Sequence, residues 1–111
     1  MKTQHHIVTN SGERYELALY LPPSKGWRSL NSVTMLCQIR ASAAANAVVA
    51  VMVGTADVVA SVISLVLTST ESAKLSAGVV YEWDLRLSWE DGDVAFPLGG
   101  TAKTANAVSR S

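Results

Sequence analysis

An all-β fold, a small antiparallel sandwich or barrel, is predicted by three features of this 111-residue sequence. The segment VVYEWDLRLSW, 79–89, has large apolar residues at its odd positions and charged or small polar residues at most even ones. This period of two is typical of a strand with one buried face. Other short apolar runs are separated by turn residues. The composition, 49% hydrophobic and 16% charged residues, predicts a single domain over 1–111 with a buried core.

The first two strands are predicted from alternating runs near the N-terminus. RYELALYL, 14–21, alternates apolar with polar or small residues. Pro22 and Pro23 end this strand, because proline cannot donate a hydrogen bond to a sheet. The loop PPSKGWRSLNS then leads to a second alternating run, VTMLCQIR, at 33–40.

The segment 41–67 is rich in Ala, Val and Ser, and its only charged residue is Asp57. A membrane helix needs about 20 mostly apolar residues, and a central Asp costs ~3 kcal/mol on insertion. We therefore expect a loop at the start of the segment, then two buried strands at 48–53 and 61–68, with a turn at 54–57. No membrane association is expected.

A short helical turn is predicted over 69–78, STESAKLSAG. Ser69 or Thr70 is expected to cap it, with Leu75 facing the core and both Glu71 and Lys74 exposed. Gly78 is expected to end it, and the strand at 79–89 follows directly.

The final part of the chain predicts a hairpin. Asp-Gly in EDGD, 90–93, is a strong signal for a tight turn. The return strand, 94–100, contains Pro97, which indicates a sheet edge or a bulge. A last short strand follows, which brings the total to about seven strands in an immunoglobulin-like or jelly-roll-like arrangement. Residues 1–7 and 101–111 are expected to form a mobile arm and tail.

Charge and cysteine content argue against several classes of protein. Nine basic and nine acidic residues cancel, and the basic ones are scattered, so a nucleic-acid partner is not expected. Cys37 is the only cysteine, which rules out an intrachain disulfide and favours a reducing compartment. The first 16 residues lack the apolar stretch of a secretory signal.

The residues that could carry catalysis do not form a recognisable motif. His5 and His6 are adjacent, so on an extended chain they point in opposite directions. Cys37 lies on the apolar face of its strand, where a thiol is inert. No catalytic residue, cofactor or enzymatic activity is therefore predicted.

Acidic residues occur in two groups. Glu90, Asp91 and Asp93 surround Gly92, and such carboxylates can bind Ca²⁺. Their spacing is not that of a calcium loop, and a hairpin turn explains Asp-Gly, so no metal site is predicted. Glu82, Asp84 and Arg86 share one strand face, which favours a charge ladder over paired catalytic carboxylates.

A protein contact is predicted in the loop after the first strand. Trp27 lies between Lys25 and Arg28, and aromatic residues and Arg are enriched in interfaces. The predicted contact residues are Pro22, Pro23, Trp27 and Leu30. The alternative is that Trp27 folds back over one end of the sandwich.

The C-terminal part, 67–111, resembles the C-terminal half of small structural proteins of tailed bacteriophages. In these proteins a Thr/Ala/Leu helical turn, a Gly, an aromatic-Asp-Leu-x-Leu strand, an Asp-Gly turn and a Gly-led strand ending in Val-Thr-Arg follow one another. The matching residues are Leu75, Gly78, Tyr81, Asp84, Leu85, Leu87, Asp91, Gly92, Gly100, Val108 and Arg110. QIR at 38–40 matches an early strand, whereas 41–60 does not align.

The resemblance implies a non-enzymatic virion structural protein that binds other virion proteins and copies of itself. Capsid decoration is the first expectation, and a tail baseplate or fibre-attachment adaptor is the alternative. Assembly would take place in the cytoplasm of the bacterial host. A carbohydrate-binding module is a further alternative, with Trp27 or Trp89 as the aromatic platform. A hydrolase that uses Glu82 or Asp84 is the third hypothesis.

Overall fold

A computed structural model of the chain describes residues 3–42 and 47–105. The strands are β1 (Thr3–Gln4), β2 (Ile7–Asn10), β3 (Tyr15–Tyr20), β4 (Thr34–Arg40), β5 (Val48–Asp57), β6 (Val62–Leu67), β7 (Val80–Ser88) and β8 (Val94–Ala105). A 3-10 turn spans Pro23–Lys25, and a short helix, α1, spans Ser69–Ser72. The predicted all-β fold is confirmed.

The strands form one sheet in the order β1-β8-β7-β4-β5-β6-β3, nearly closed into a barrel. β1 and β2 follow one another along the same edge of β8, so the sheet has seven strand positions. Both of these pairings are parallel, whereas the other pairings are antiparallel. The sheet is therefore mixed, which differs from the purely antiparallel sheet that was predicted.

β5 joins the two halves of the sheet. Its first residues, Val48–Met52, pair with β4, whereas Val53–Asp57 pair with β6. A strand that leaves one layer and continues in another makes the corner of a sandwich. We call the half containing β8, β7 and β4 the first layer, and the half containing β6 and β3 the second layer.

The core lies on the inner face of this sheet, and β7 contributes most regularly to it. Its alternating residues Tyr81, Trp83, Leu85 and Leu87 are buried, as predicted, and so is Trp89 just beyond it. Val79 was also expected to face inward, but it precedes β7 and is exposed. The other large buried members include Ile7, Leu21, Leu30, Ile39, Met52, Ile63, Leu65, Leu67, Leu75 and Leu98.

The turn predicted at 54–57 is wrong, because β5 continues to Asp57 and the chain turns at 58–61. Gly54 lies within β5, where it is needed for close packing and not for a turn. A Cβ atom at this position would lie 3.0 Å from the Met35 Sδ atom and 3.3 Å from a Leu65 methyl group. The missing side chain therefore lets β4 and β6 approach each other across β5.

The helical turn forms near its predicted place but is shorter. Thr68, not Ser69 or Thr70, caps α1, since its hydroxyl accepts the N–H of Glu71 at 3.2 Å. The helix ends at Ser72, so Gly78 does not end it. Leu75 is buried as predicted. Lys74 is exposed as predicted, whereas Glu71 is half-buried.

Both predicted flexible ends are partly in the sheet. Thr3–Gln4 and Ile7 pair with β8, and the buried Ile7 side chain belongs to the core. Thr101–Ala105, expected to begin the tail, continue β8. Residues 1–2 and 106–111 lie outside the described residues, as does 43–46 of the predicted loop.

No helix in the described part of the chain is long and apolar enough to cross a membrane.

Candidate interaction surface

The outward side chains of β4, β7 and β8 form a concave surface on the first layer. We call it the outer groove, and its volume is about 430 Å³. It is lined by Leu36, Gln38, Arg40, Asp84, Arg86, Val94 and Phe96. A volume of ~300–1,000 Å³ is typical of binding pockets in proteins. The groove is therefore large enough to receive side chains of a partner.

Strand register decides which side chains reach this groove. Cys37 lies opposite Leu85 on the buried face, so Gln38 and its partner Asp84 point outward. In β8, the residues Phe96 and Pro97 lie between the pairs Leu87–Ala95 and Leu85–Leu98. Two residues opposite one form a bulge, the second of the two alternatives that Pro97 indicated in the sequence.

The apolar side of the groove combines an aromatic ring with two aliphatic side chains. Phe96 is 45% exposed, and Leu36 and Val94 beside it are exposed to a similar extent. Aromatic and aliphatic side chains that remain exposed on a rigid sheet are typical of binding surfaces. Water covers these three side chains in the isolated chain, and a partner would remove it.

The polar side of the groove is built around Arg40. Its guanidinium donates a hydrogen bond to the Gln38 Oε1 atom. The Arg40 Nε atom is buried and has no hydrogen-bond partner within the described residues. Arg86 is exposed on the neighbouring strand. Two positive charges and the carboxylate of Asp84 thus line one wall of the groove.

A second concavity continues from this wall. It has a volume of about 180 Å³ and shares Gln38, Arg40 and Asp84 with the outer groove. Its further lining residues are Gln4, Ser42, Glu82, Trp83, Gly100 and Thr101. We call it the polar pocket, because most of these residues offer hydrogen-bonding groups.

The four interface residues predicted from the loop differ in exposure. Leu30 is only 2% exposed, and Pro22 is also buried. Trp27 is half-buried and packs against the core, as the alternative of a folded-back loop predicted. Pro23 is exposed at the start of the 3-10 turn. Packing within the chain therefore uses most of the apolar surface of this loop.

An ion-pair cluster fastens this loop to the β7–β8 hairpin. The Arg28 Nη1 atom lies 2.9 Å from the nearer Asp91 oxygen and 2.8 Å from Asp93. The guanidinium carbon is 4.8 Å from the centre of the Trp89 ring. The Trp89 Nε1 atom donates to the Ser29 carbonyl oxygen at 2.9 Å. The loop is thus held by two ion pairs, a cation–π contact and a hydrogen bond.

This cluster also assigns a structural role to the carboxylates of the turn. The hydrogen bond from Arg28 lowers the pKa of Asp91, and the Asp93 backbone N–H contributes to the same shift. Asp91 in turn raises the pKa of Arg28. Among the described residues, no group of three or more acidic, His or Cys side chains is arranged to hold a metal ion.

The two histidines point in opposite directions, as their adjacency predicted. The His5 Nε2 atom lies 2.8 Å from the Tyr15 hydroxyl, and the His6 Nδ1 atom lies 2.7 Å from the Thr101 hydroxyl. The Trp83 Nε1 atom donates to the His5 carbonyl oxygen at 3.1 Å. His5 therefore links the β1–β2 edge of the barrel to β3 at the opposite edge.

Cys37 is buried between β5 and β7. Burial raises the pKa of its thiol to about 12, and the negative charge of Asp84 adds to the shift. Because the thiolate is the nucleophilic form of cysteine, Cys37 is unreactive at neutral pH in the folded chain.

Sequence reasoning missed the outer groove, although a signal for it was present. Leu36 lies among the polar residues of the outer face of β4, and Phe96 is the one aromatic residue of β8. Each is an apolar residue at a position where alternation predicts polarity. Only the pairing of β4, β7 and β8 places them on one surface.

Neither the models of known protein families nor the curated protein sequences match this chain.

Proposed function

We propose that this protein is a non-enzymatic structural protein of a tailed-phage particle, which binds neighbouring subunits through the outer groove. Decoration of the capsid is the leading role, and attachment at the tail baseplate or fibre is the alternative. The observation that carries the proposal is the groove itself, where exposed Leu36 and Phe96 lie beside Arg40 and Arg86 on a continuous sheet. This combination of aromatic, aliphatic and Arg side chains is enriched at protein interfaces.

The rigidity of the surface supports a binding role. β7 is hydrogen-bonded to β4 on one side and to β8 on the other along most of its length. A backbone that is already fixed in a sheet loses little conformational entropy when a partner binds. A sheet face of this kind suits repeated contacts in a symmetric particle, where each subunit presents the same surface.

The hydrogen bonds and ion pairs that the polar side chains form within the fold support a non-enzymatic role. The ring nitrogens of His5 and His6 contact hydroxyl groups, and Asp91 and Asp93 bind Arg28. These contacts connect segments of the fold to each other. The residues with the most reactive chemistry in this sequence therefore serve its architecture.

The environment of the tryptophans favours a protein partner over a sugar. Trp89 is buried with Arg28 over its ring, Trp83 is buried below β8, and Trp27 packs against the core. A carbohydrate platform needs an aromatic ring with one face open to solvent, whereas packing within the chain covers part or all of each of these three rings.

The neutral net charge fits association with proteins, since it removes long-range repulsion between subunits.

The proposal is tested by quantitative mass spectrometry of purified phage particles. A copy number equal to that of the capsid subunits supports decoration, and one equal to a single ring at the tail supports an adaptor. Absence of the protein from particles contradicts the proposal.

The binding surface is tested separately with the variants Phe96→Ser and Leu36→Ser, which alter exposed side chains of the groove. We expect at least a tenfold loss of incorporation into particles, because contact with a partner removes apolar surface from water. The matched control is Val8→Ser, an exposed side chain outside the groove and the polar pocket. Equal incorporation of all three variants would contradict the role of the groove.

A further inference from the structure

The turn between β5 and β6 presents apolar side chains to solvent. Val59 is 97% exposed, and Val58 and Ala60 beside it are also exposed. Turns usually contain Gly, Pro, Asn, Asp or Ser, which tolerate both water and turn geometry. We call residues Asp57–Ala60 the valine tip. Its two valines expose apolar surface that burial against a partner would remove from water.

Two hydrogen bonds stabilise the conformation of the valine tip. The Asp57 Oδ1 atom accepts the N–H of Ala60 at 3.0 Å, which closes the turn. The N–H of Leu21 donates to the Ser61 carbonyl oxygen at 2.8 Å, which ties the turn to β3. A turn that is already closed by hydrogen bonds loses less chain entropy on insertion into a pocket than an open loop would.

The tip and the outer groove lie on different layers of the same molecule. β5 stops pairing with β4 at Met52 and runs on beside β6 to Asp57, so the tip belongs to the second layer. The groove is formed by β4, β7 and β8 of the first layer. One molecule therefore carries a free projection and a free recess at separate places on its surface.

The two surfaces are complementary in polarity and in charge. Leu36, Val94 and Phe96 offer an apolar floor for the valines. The groove contains Arg40, Arg86 and Asp84, which leaves one net positive charge. The tip carries Asp57, the only charged residue between positions 41 and 67. Opposite charges of this kind orient an encounter and disfavour the wrong register.

We propose that the valine tip of one copy of this protein docks in the outer groove of a second copy. This inference rests on the proposed function, because it names the neighbouring subunit as another copy of the same chain. The contact joins two different surfaces, so it is heterologous and repeats from head to tail. Repetition closes a ring when the rotation between subunits permits it, and otherwise produces an open filament.

The first test is sedimentation velocity of the purified full chain at rising concentration. We expect reversible oligomers for the wild type. Val59→Asp and Phe96→Ser are each expected to weaken self-association at least tenfold, because each damages one of the two surfaces. Val8→Asp, a matched exposed valine, is expected to associate like the wild type. Thermal unfolding of all variants establishes that these exposed substitutions leave the fold intact.

The second test distinguishes a head-to-tail contact from a symmetric one. Val59→Asp keeps an intact groove, and Phe96→Ser keeps an intact tip. Mixing these two variants is therefore expected to produce a one-to-one dimer that grows no further, measured by native mass spectrometry. A symmetric contact of tip with tip, or of groove with groove, would produce no such dimer.

Charge reversal in the groove provides a third test and leaves Asp57 in place, because its carboxylate closes the turn. Arg86→Glu is expected to weaken association, since it places a second carboxylate where Asp57 approaches, and Arg86→Gln is expected to weaken it less. A wild type that stays monomeric at about 1 mM, the concentration where binding free energy is only ~4 kcal/mol, would overturn the inference. So would oligomers that Val59→Asp leaves unchanged, or a variant mixture without a dimer. None of these results bears on the particle experiment, so failure of this inference and failure of the proposed function are distinguishable.

Discussion

β7 and β5 are two long strands near the centre of the sheet, and they differ in how regularly apolar and polar residues alternate along them. β7 alternates strictly, with buried Trp83 and Leu85 on one face and charged residues on the other. β5 has apolar residues on both faces, including exposed Val51 and Val53. Strict alternation holds a strand in one layer, because a one-residue shift would bury charges. An apolar strand is not held in this way.

The weaker pattern of β5 has structural consequences. β5 pairs with β4 and then with β6, and its register with β4 shifts at Ile39 and Arg40. It can change layer because either face tolerates burial. The same property leaves valines of β5 exposed to solvent. Burial in β7 therefore explains stability, whereas the exposed valine tip at the end of β5 is the basis of the self-association proposed above.

The largest expected effect concerns Cys37, which lies between the two strands, opposite Leu85 of β7 and Met52 of β5. At pH 8.5 its thiol is expected to react with iodoacetamide about a thousandfold more slowly in the folded chain than in urea. The reason is its pKa, raised from 9.0 to about 12, since each unit removes nine-tenths of the thiolate. Equal rates in both conditions would contradict the buried position of β4.

The second prediction compares one side chain from each strand. Leu85→Ala, at a side chain that is 0% exposed, is expected to lower the free energy of unfolding by ~2–5 kcal/mol. Val53→Ala, on the exposed face of β5, is expected to change it by less than ~0.5 kcal/mol. Urea denaturation measures both. A large loss for Val53→Ala would show that this valine belongs to the core.

The third prediction compares two glycines at close contacts. A Cβ atom on Gly100 of β8 would lie 2.3 Å from the His5 carbonyl oxygen, which is backbone and cannot rotate away. Gly100→Ala is therefore expected to cost ~1–3 kcal/mol and to separate β1 and β2 from β8. A Cβ atom on Gly54 of β5 would meet side-chain atoms only, the Met35 Sδ at 3.0 Å and the Met35 Cβ and a Leu65 methyl group at 3.3 Å. Gly54→Ala is therefore expected to cost less than Gly100→Ala, ~1 kcal/mol, because side chains can shift where backbone cannot.

Denaturant unfolding ranks these two glycine variants. Amide hydrogen exchange of residues 3–10 checks the cause, because only Gly100→Ala should expose those amides. Equal protection in both variants would contradict the close approach of His5 to β8.

The smallest expected effect concerns the link between α1 and β5. The Glu71 carboxylate lies 2.6 Å from the Lys74 ammonium and accepts the N–H of Val51 at 2.9 Å. The ion pair with Lys74, followed by the Val51 hydrogen bond, lowers the pKa of Glu71. Glu71→Gln is expected to cost ~0.5 kcal/mol at neutral pH, as is usual for an ion pair near the surface.

The pH dependence of this effect has a defined sign. Because the folded-state pKa of Glu71 is lowered, its stabilisation is present above the unfolded value of about 4.3 and is lost as pH falls through the folded value. Wild type and Glu71→Gln are therefore expected to converge in stability at low pH, measured by thermal unfolding. A gap that stays constant down to pH 2 would contradict the role of the charge.

Much of the fold follows from local patterns in the sequence. Alternation located β3, β4 and β7 within one or two residues, and Asp91-Gly92 located the hairpin that leads to β8. The prediction was wrong at Gly54, because glycine occurs both in turns and at close contacts between strands. Gly54 was interpreted as a turn residue, but it makes room for Met35 and Leu65. A sequence does not distinguish these uses, because both require only the absence of a side chain.

The candidate site was less predictable than the fold. The sequence predicts Trp27 and Leu30 as protein-contact residues, because they are aromatic and apolar residues in a loop. In the structure the rest of the chain buries Leu30 and packs against Trp27. Leu36 and Phe96 are 60 positions apart and become neighbours in the groove only through β7. Exposure depends on what the rest of the chain covers, so it is a property of the assembled sheet.

The sequence by itself determined which face of β3, β4 and β7 is turned to the core, because apolar and polar or small side chains alternate along these strands and burial of the apolar face lowers the free energy. Only the tertiary structure decided that β1 and β2 run parallel to β8, that β5 changes layer and that Val59 projects into water. These features depend on contacts between distant residues, such as His5 with Gly99 and Tyr15. No local period encodes a contact between residues that meet only after the chain has folded.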